Sequence, residues 1–300
     1  MVIAGLPAFE PEWGFLGPGR LGTLLAAALT RAGWRVRAVG GGQPDARQRL
    51  TRLVAGARAC DDVVEAAARG QLVVLAVPDD AIEGLVRELA LAGVLGEGRR
   101  VVHVAGSRGL DVLSAAARSG AGTAACHPAM TVPAGSTDPD LLLGVAWAVS
   151  ARPADRGWAP ALVTDLGGEP TDLREDVRGL YHAGLAVGSN TVGAAVVVAR
   201  RLLLAAGIED PAAFLGPLVQ ASAANALEHG AAALTGPVVR GDAGTVRTHL
   251  DVVERDLPEL ARAYRALSQV LLEQVAPGLP ADTAALLAAL LSPSVEEPPT

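Results

Sequence analysis

Between residues 13 and 172, short apolar runs alternate with segments whose apolar residues return every three or four positions. That is the pattern of strands joined by crossover helices. The runs 13–16, 36–39, 72–76, 101–104, 123–125 and 145–149 are predicted strands, with helices over 21–31, 46–56, 61–69, 82–92 and 110–119. A helix over 161–166 and a last strand near 169–173 complete an α/β domain with a doubly wound, mostly parallel sheet. Gly33, Gly70, Gly98 and Gly120 each follow a helical segment, where a residue of positive φ ends it. Asp61 is the expected N-cap of the third helix, with Glu65 close behind.

Strand signals stop at about Arg174, and helix follows helix to about Leu291. The chain therefore reads as an α/β domain over 13–173, an all-α domain over 174–291, and a disordered, acidic and proline-rich tail over 292–300. The first helix of the second domain spans about 176–206, and 183–199 is apolar nearly all round. Such a helix is expected to be buried on every side, as the axis of its domain or in a dimer interface.

Composition narrows the class. Half the residues are hydrophobic but only 3% are aromatic, so the cores are expected to be packed with small aliphatic side chains. The net charge is -7 and the arginines are scattered, which argues against a nucleic-acid footprint. The start lacks a basic region and carries Glu10 and Glu12, unlike a signal peptide. The apolar stretch 192–207 is short for a bilayer and holds Arg200 and Arg201, so a soluble, cytoplasmic protein without a membrane partner is expected. Cys60 and Cys126 have no ligand-like spacing and no metal site is expected; they read as small buried hydrophobes in a reducing compartment rather than as a redox pair.

The candidate chemistry begins at Gly17-Pro18-Gly19-Arg20-Leu21-Gly22, after the first strand and at the start of a helix. This is the dinucleotide pattern: one glycine for the turn, one for backbone approach to a pyrophosphate, one for helix packing. Alone it is weak, since a chain with 35 glycines produces such spacings by accident. An acid about 20 residues on would bind the ribose of NAD. The chain has Gly40, Gly41, Gly42 and Gln43 there, with no carboxylate before Asp45, so NADP(H) is the expected cofactor, with Arg47 or Arg37 as cation for its 2′-phosphate. Val77, Pro78 and Asp79 end a central strand where such sheets bind ligands, although Asp79 or Asp80 also reads as a helix cap.

His127, at the end of a later strand, has either a site role or a structural hydrogen bond, whereas His103 reads as a satisfied core histidine. On an ideal helix Ser189 lies almost over His182, with Asn190 beside it, so three polar groups share one side of an apolar rod. They either satisfy one another or face a ligand cavity. Thr235 and Arg240 precede a helix that Asp242 can cap, and read equally as anion contacts or as a structural turn.

From GFLGPGRLG through LAVPDDAI, HVAGSRGL and CHPAMT to YHAGLAVGSN and LTGPVVRGD, the chain resembles Rossmann-like proteins with a C-terminal helical domain of unknown function. These are similar to 6-phosphogluconate dehydrogenase, pyrroline-5-carboxylate reductase and ketopantoate reductase. The resemblance implies an NADPH-dependent reductase of a small carbonyl or imine, with ketopantoate in pantothenate synthesis as one substrate, and a homodimer formed through the helical domain. It places His182 where related enzymes carry a lysine acid or base, with Ala186 replacing the nearer asparagine and Asn190 retained. His182 is then the proton donor, and Asn190, Ser189 and His127 orient substrate. The missing lysine keeps open a non-catalytic, dinucleotide-binding regulatory partner of a metabolic enzyme.

Overall fold

The computed structural model describes residues 12–292, so the expected tail lies outside the described residues apart from Ser292. Two compact units divide at Ala186 and Val187 rather than near Arg174. In chain order the first contains β1 (Glu12–Leu16), α1 (Arg20–Arg31), β2 (Arg35–Gly40), α2 (Pro44–Leu53), β3 (Arg58–Ala59), α3 (Val63–Ala68), β4 (Leu72–Leu75) and α4 (Ile82–Leu91). It continues with β5 (Arg100–His103), α5 (Ser114–Arg118), β6 (Gly122–Pro128), β7 (Ala146–Ala151), α6 (Trp158–Asp165), β8 (Glu169–Asp172) and α7 (Arg178–Ala186).

The eight strands form one sheet in the order β3-β2-β1-β4-β5-β6-β7-β8. Every pair is parallel except β6 with β7. The strands alternate faces: Trp13 and Phe15 join one core with residues of α1, α2 and α6, while Leu16 joins the other with residues of α3, α4 and α5. Burial on both faces follows from the run of apolar residues in each central strand. The order reverses between β1 and β4, so the loops after these strands part at the carboxyl edge and leave a crevice there.

Several local expectations change. Asp62, not Asp61, caps α3, accepting from the Val64 N–H at 2.8 Å. Helix α2 begins earlier than expected because Pro44 suits its first position. Gly33, Gly98 and Gly120 have positive φ, but Gly70 does not. Gly70 is small for another reason: a Cβ there would stand 2.0 Å from the Gly14 nitrogen, so it lets the start of β4 lie against β1.

The second unit contains a π-helical turn (Val187–Thr191) followed by α8 (Val192–Ala205), α9 (Pro211–His229), α10 (Ala243–Asp256), α11 (Pro258–Val275) and α12 (Ala281–Leu291). Its core is small, with Val246, Leu250, Leu272 and Leu287 buried. Asp242 caps α10 as expected, accepting from the Thr245 N–H at 3.0 Å. Of the two settings expected for this apolar helix, the single chain does not provide the first, the axis of its own domain: Val187 is 63% exposed and Val197 58%. The helical run Glu175–Ala205 is long and apolar enough, by length and composition, to cross a membrane.

Candidate active site

Strand β1 ends in a turn that only glycine can build. Gly17 has φ of 102°, and a Cβ on it would lie 2.3 Å from the Ala76 carbonyl oxygen at the end of β4. Its N–H donates to the Gly40 carbonyl at 3.1 Å, tying the loop to β2. A Cβ on Gly22 would lie 2.0 Å from the Gly17 oxygen, so the first turn of α1 presses on the loop. Gly19 differs, with nothing within 4 Å of where its Cβ would be. It is the N-cap of α1, and neither a capping side chain nor an acidic residue meets that first turn. Open space beside uncapped helix N–H groups, those of Arg20, Leu21 and Gly22, fits a diphosphate.

Around the second loop, Gly41 and Gly42 have φ of 73° and 61°, and Gly42 faces Pro18 closely enough that a Cβ would meet its ring at 3.1 Å. The two arginines expected to face this loop are otherwise engaged. Arg47 is buried, donates to the Gly42 carbonyl at 2.7 Å and pairs with Asp61, so it shapes the loop from beneath. Arg37 donates to Glu12 at 2.7 Å. Val77 borders the Gly17 turn, where its backbone nitrogen would stand 2.9 Å from a Gly17 Cβ, and Pro78 follows it into the next loop. There Asp79 accepts a hydrogen bond from the Ser107 hydroxyl at 2.8 Å, joining the loops after β4 and β5.

His127 stands in the part of β6 that runs past the end of β5. Its Nδ1 is 2.8 Å from the Tyr181 hydroxyl, and its ring meets that of His182 edge-on at 5.9 Å between centroids. The two imidazoles close over Gly106: a Cβ there would lie 3.0 Å from Nε2 of each ring. The side chains of His127, Tyr181 and His182 thus form one cluster at the carboxyl edge. Burial, then His182 and the Arg178 charge, hold the His127 pKa at about 4, so this ring is neutral at neutral pH. Burial also raises that of Tyr181.

Sequence reasoning missed the residue beneath this cluster. Arg178 is 1% exposed and donates to the carbonyls of Ala105, Gly106, Ala125 and Ala148 and to the Ser150 hydroxyl, at 3.0–3.3 Å. Glu175 lies 3.7 Å from its Nε and accepts from the Leu110 N–H. A cation in the first turn of a helix opposes the helix dipole. That conflict, readable at Arg178, was the signal for a tertiary partner.

His103 is the satisfied core histidine. The Ala105 N–H donates to its Nδ1 at 3.2 Å, so Nε2 carries the hydrogen and donates to the Gly109 carbonyl at 2.9 Å. Burial above all lowers its pKa to about 4. Ser189 and Asn190 lie in the π-helical turn and belong to the second unit. A π turn advances the chain differently from an α-helix, so the ideal-helix projection of Ser189 over His182 does not carry through it. The loop holding Thr235 and Arg240 is a hydrogen-bonded turn: the Arg240 N–H donates to Gly236 at 3.1 Å and that of Asp242 to Pro237 at 2.8 Å.

Residues 9–128 match the family described as a Rossmann-like domain, and residues 145–271 match a domain of unknown function, DUF2520. The chain carries a Rossmann-like domain followed by a DUF2520 domain. No curated protein sequence matches it. Among solved structures it is similar to a candidate NADP oxidoreductase from Bacteroides fragilis, with 22% identity and a TM-score of 0.74 over 87% of this chain and 98% of that one. It is also similar to an imine reductase from Myxococcus stipitatus in complex with NADP+, at 21% identity and a TM-score of 0.68, covering 94% and 100%. An imine reductase from Streptomyces aurantiacus gives 19% identity, a TM-score of 0.60 and coverage of 94% and 100%. At these identities the likeness establishes the fold. The DUF2520 match begins just before β7, so it takes in the helix bearing Arg178, Tyr181 and His182.

Proposed function

We propose that the protein is an NADP(H)-dependent oxidoreductase that reduces a small carbonyl or imine. The observation that carries the reading is the open Gly19 position at the uncapped start of α1, on the same sheet edge as the His127–Tyr181–His182 cluster. The solved relatives named as NADP oxidoreductases and imine reductases support it. Gly17, Gly19 and Gly22, with the N–H groups of Arg20 and Leu21, hold the diphosphate, and Pro78 and Asp79 border the ribose beyond it. When bound, the dinucleotide supplies the hydride. His182 gives a proton from Nε2 to the substrate oxygen or nitrogen as it gains charge. His127, held neutral and oriented by the Tyr181 hydroxyl, faces the same space through its own Nε2.

Ketopantoate, a precursor in pantothenate synthesis, is the first substrate to test, on the strength of the family resemblance. NADPH oxidation is expected with one or more members of a panel of ketopantoate, other keto acids and cyclic imines. NADPH binding without turnover on any of them would move the reading to a dinucleotide-responsive regulatory partner. Two buried, free cysteines suit a reducing cytoplasm, where we place the protein.

A second copy is the partner we propose for the helical unit, where Phe214 is 61% exposed, Leu218 62% and Leu227 90%. Apolar faces of this extent on a soluble chain call for a cover. Light scattering at micromolar concentration is expected to give twice the chain mass, and a monomer would remove this partner.

A further inference from the structure

Beside the glycine loop lies a cavity of about 580 Å³ within the first unit. Arg20 opens its wall from the start of α1, and Arg49 and Arg52 line it from α2. Ser136 and Thr137 contribute from the segment between β6 and β7, and Pro18 and Gly19 form its border with the diphosphate cradle. Among the described residues no carboxylate lines it, in a chain whose net charge is -7. Arg37 and Arg47, the arginines nearest by sequence to the second loop, are bound to Glu12 and Asp61. Arg20, Arg49 and Arg52 make no hydrogen bond or ion pair with the described residues.

Three unpaired guanidinium groups around one cavity repel one another, and Arg49 and Arg52 are neighbours on a helix at a spacing of three. An anion between them removes that penalty, and guanidinium groups match a phosphate through paired N–H donors. The cavity shares Gly19 with the cradle, so the anion belongs to a ligand already held there. We infer that Arg49 and Arg52 bind the 2′-phosphate of NADP(H), with Arg20 placed between this phosphate and the diphosphate. The site is thus built from the flanks of two helices, whereas the loop after β2 supplies only glycine backbone. This inference rests on the reductase reading and deepens it.

Titration calorimetry of the full chain with NADPH and with NADH tests it. The exposed R49Q/R52Q double variant is expected to bind NADPH at least about tenfold more weakly while NADH affinity stays within about twofold. R20Q is expected to weaken both dinucleotides, because it also meets the diphosphate. Adenosine 2′,5′-bisphosphate is expected to compete with NADPH in the wild-type protein and to lose affinity in R49Q/R52Q. An unchanged NADPH-to-NADH ratio in R49Q/R52Q overturns the inference and leaves the reductase reading standing. Inorganic phosphate binding at the two arginines with NADPH preference intact also overturns it, assigning the cavity to a free anion. A wild-type protein that binds neither dinucleotide overturns the reductase reading and the inference together.

Discussion

Replacing Arg178 with methionine is expected to lower the unfolding free energy by about 3–5 kcal/mol. Methionine fills most of the space but leaves four carbonyls and the Ser150 hydroxyl without their donor in a region closed to water. Lysine restores the charge but not the planar fork that reaches five acceptors, so R178K should fall between the two. Denaturation at pH 7 measures the loss, and histidine NMR supplies a second readout. The His127 pKa is depressed by burial first, then by His182 and by the Arg178 charge, so R178M should move it upward from about 4. In the wild-type chain the unfolded histidine binds its proton near pH 6.5 and the folded one only near 4. Its contribution is complete above pH 6.5 and is lost as pH falls through that window. In R178M the lower end of the window rises, and stability depends less on pH between 4 and 6.5. Unchanged stability together with an unchanged His127 titration would remove Arg178 from the foundation of the site.

The α/β domain was legible because each central strand is a short apolar run closed by a turn residue, and burial on both faces leaves no competing pattern. The miss among the strands is β3, two residues at the sheet edge, too short for any periodicity. The helix after Arg174 is present as expected, and the single chain leaves much of its apolar surface open. A run of small apolar residues says that a helix needs cover, not where the cover comes from, and Val187 and Val197 show that a single chain does not provide it. Nor does periodicity register the π turn at Val187–Thr191, which depends on hydrogen-bond spacing rather than side-chain type.

At the site, sequence motifs found the groups at strand ends because chain direction alone puts them on one edge. Gly17, Gly22 and His127 are of this kind. The arginines were harder, since charge in a sequence carries no address. Arg47 looked like a ligand and is a buried brace for Gly41 and Gly42, while Arg49, two residues on, faces the cavity. Gly106 follows a predicted strand with no signal of its own, yet its missing side chain leaves the room in which two imidazoles meet.

Replacing His182 with alanine is expected to lower kcat by about 10²–10³ while NADPH affinity stays within about twofold. The two Nε2 atoms over Gly106 are the groups placed to meet a reacting atom, and they are not equivalent. His127 is held neutral at pH 7 and bonded through Nδ1 to Tyr181, so it accepts or orients but brings no surplus proton. The proposal therefore gives proton transfer to the other ring, His182, which stands where the enzymes this chain resembles carry a lysine. Tyr181→Phe, which removes the hydroxyl that aims His127, should reduce kcat by about tenfold, less than the loss of His182. His182→Gln keeps the bulk and hydrogen bonding of the position without its acid–base chemistry, and should resemble alanine in kcat and the wild-type protein in stability. Full turnover in both His182 variants, with normal NADPH binding, would take proton transfer away from this helix. A loss confined to alanine and absent from glutamine would make His182 a positioning residue instead. Separating those outcomes decides whether a histidine has taken over the work that lysine does in the enzymes this chain resembles.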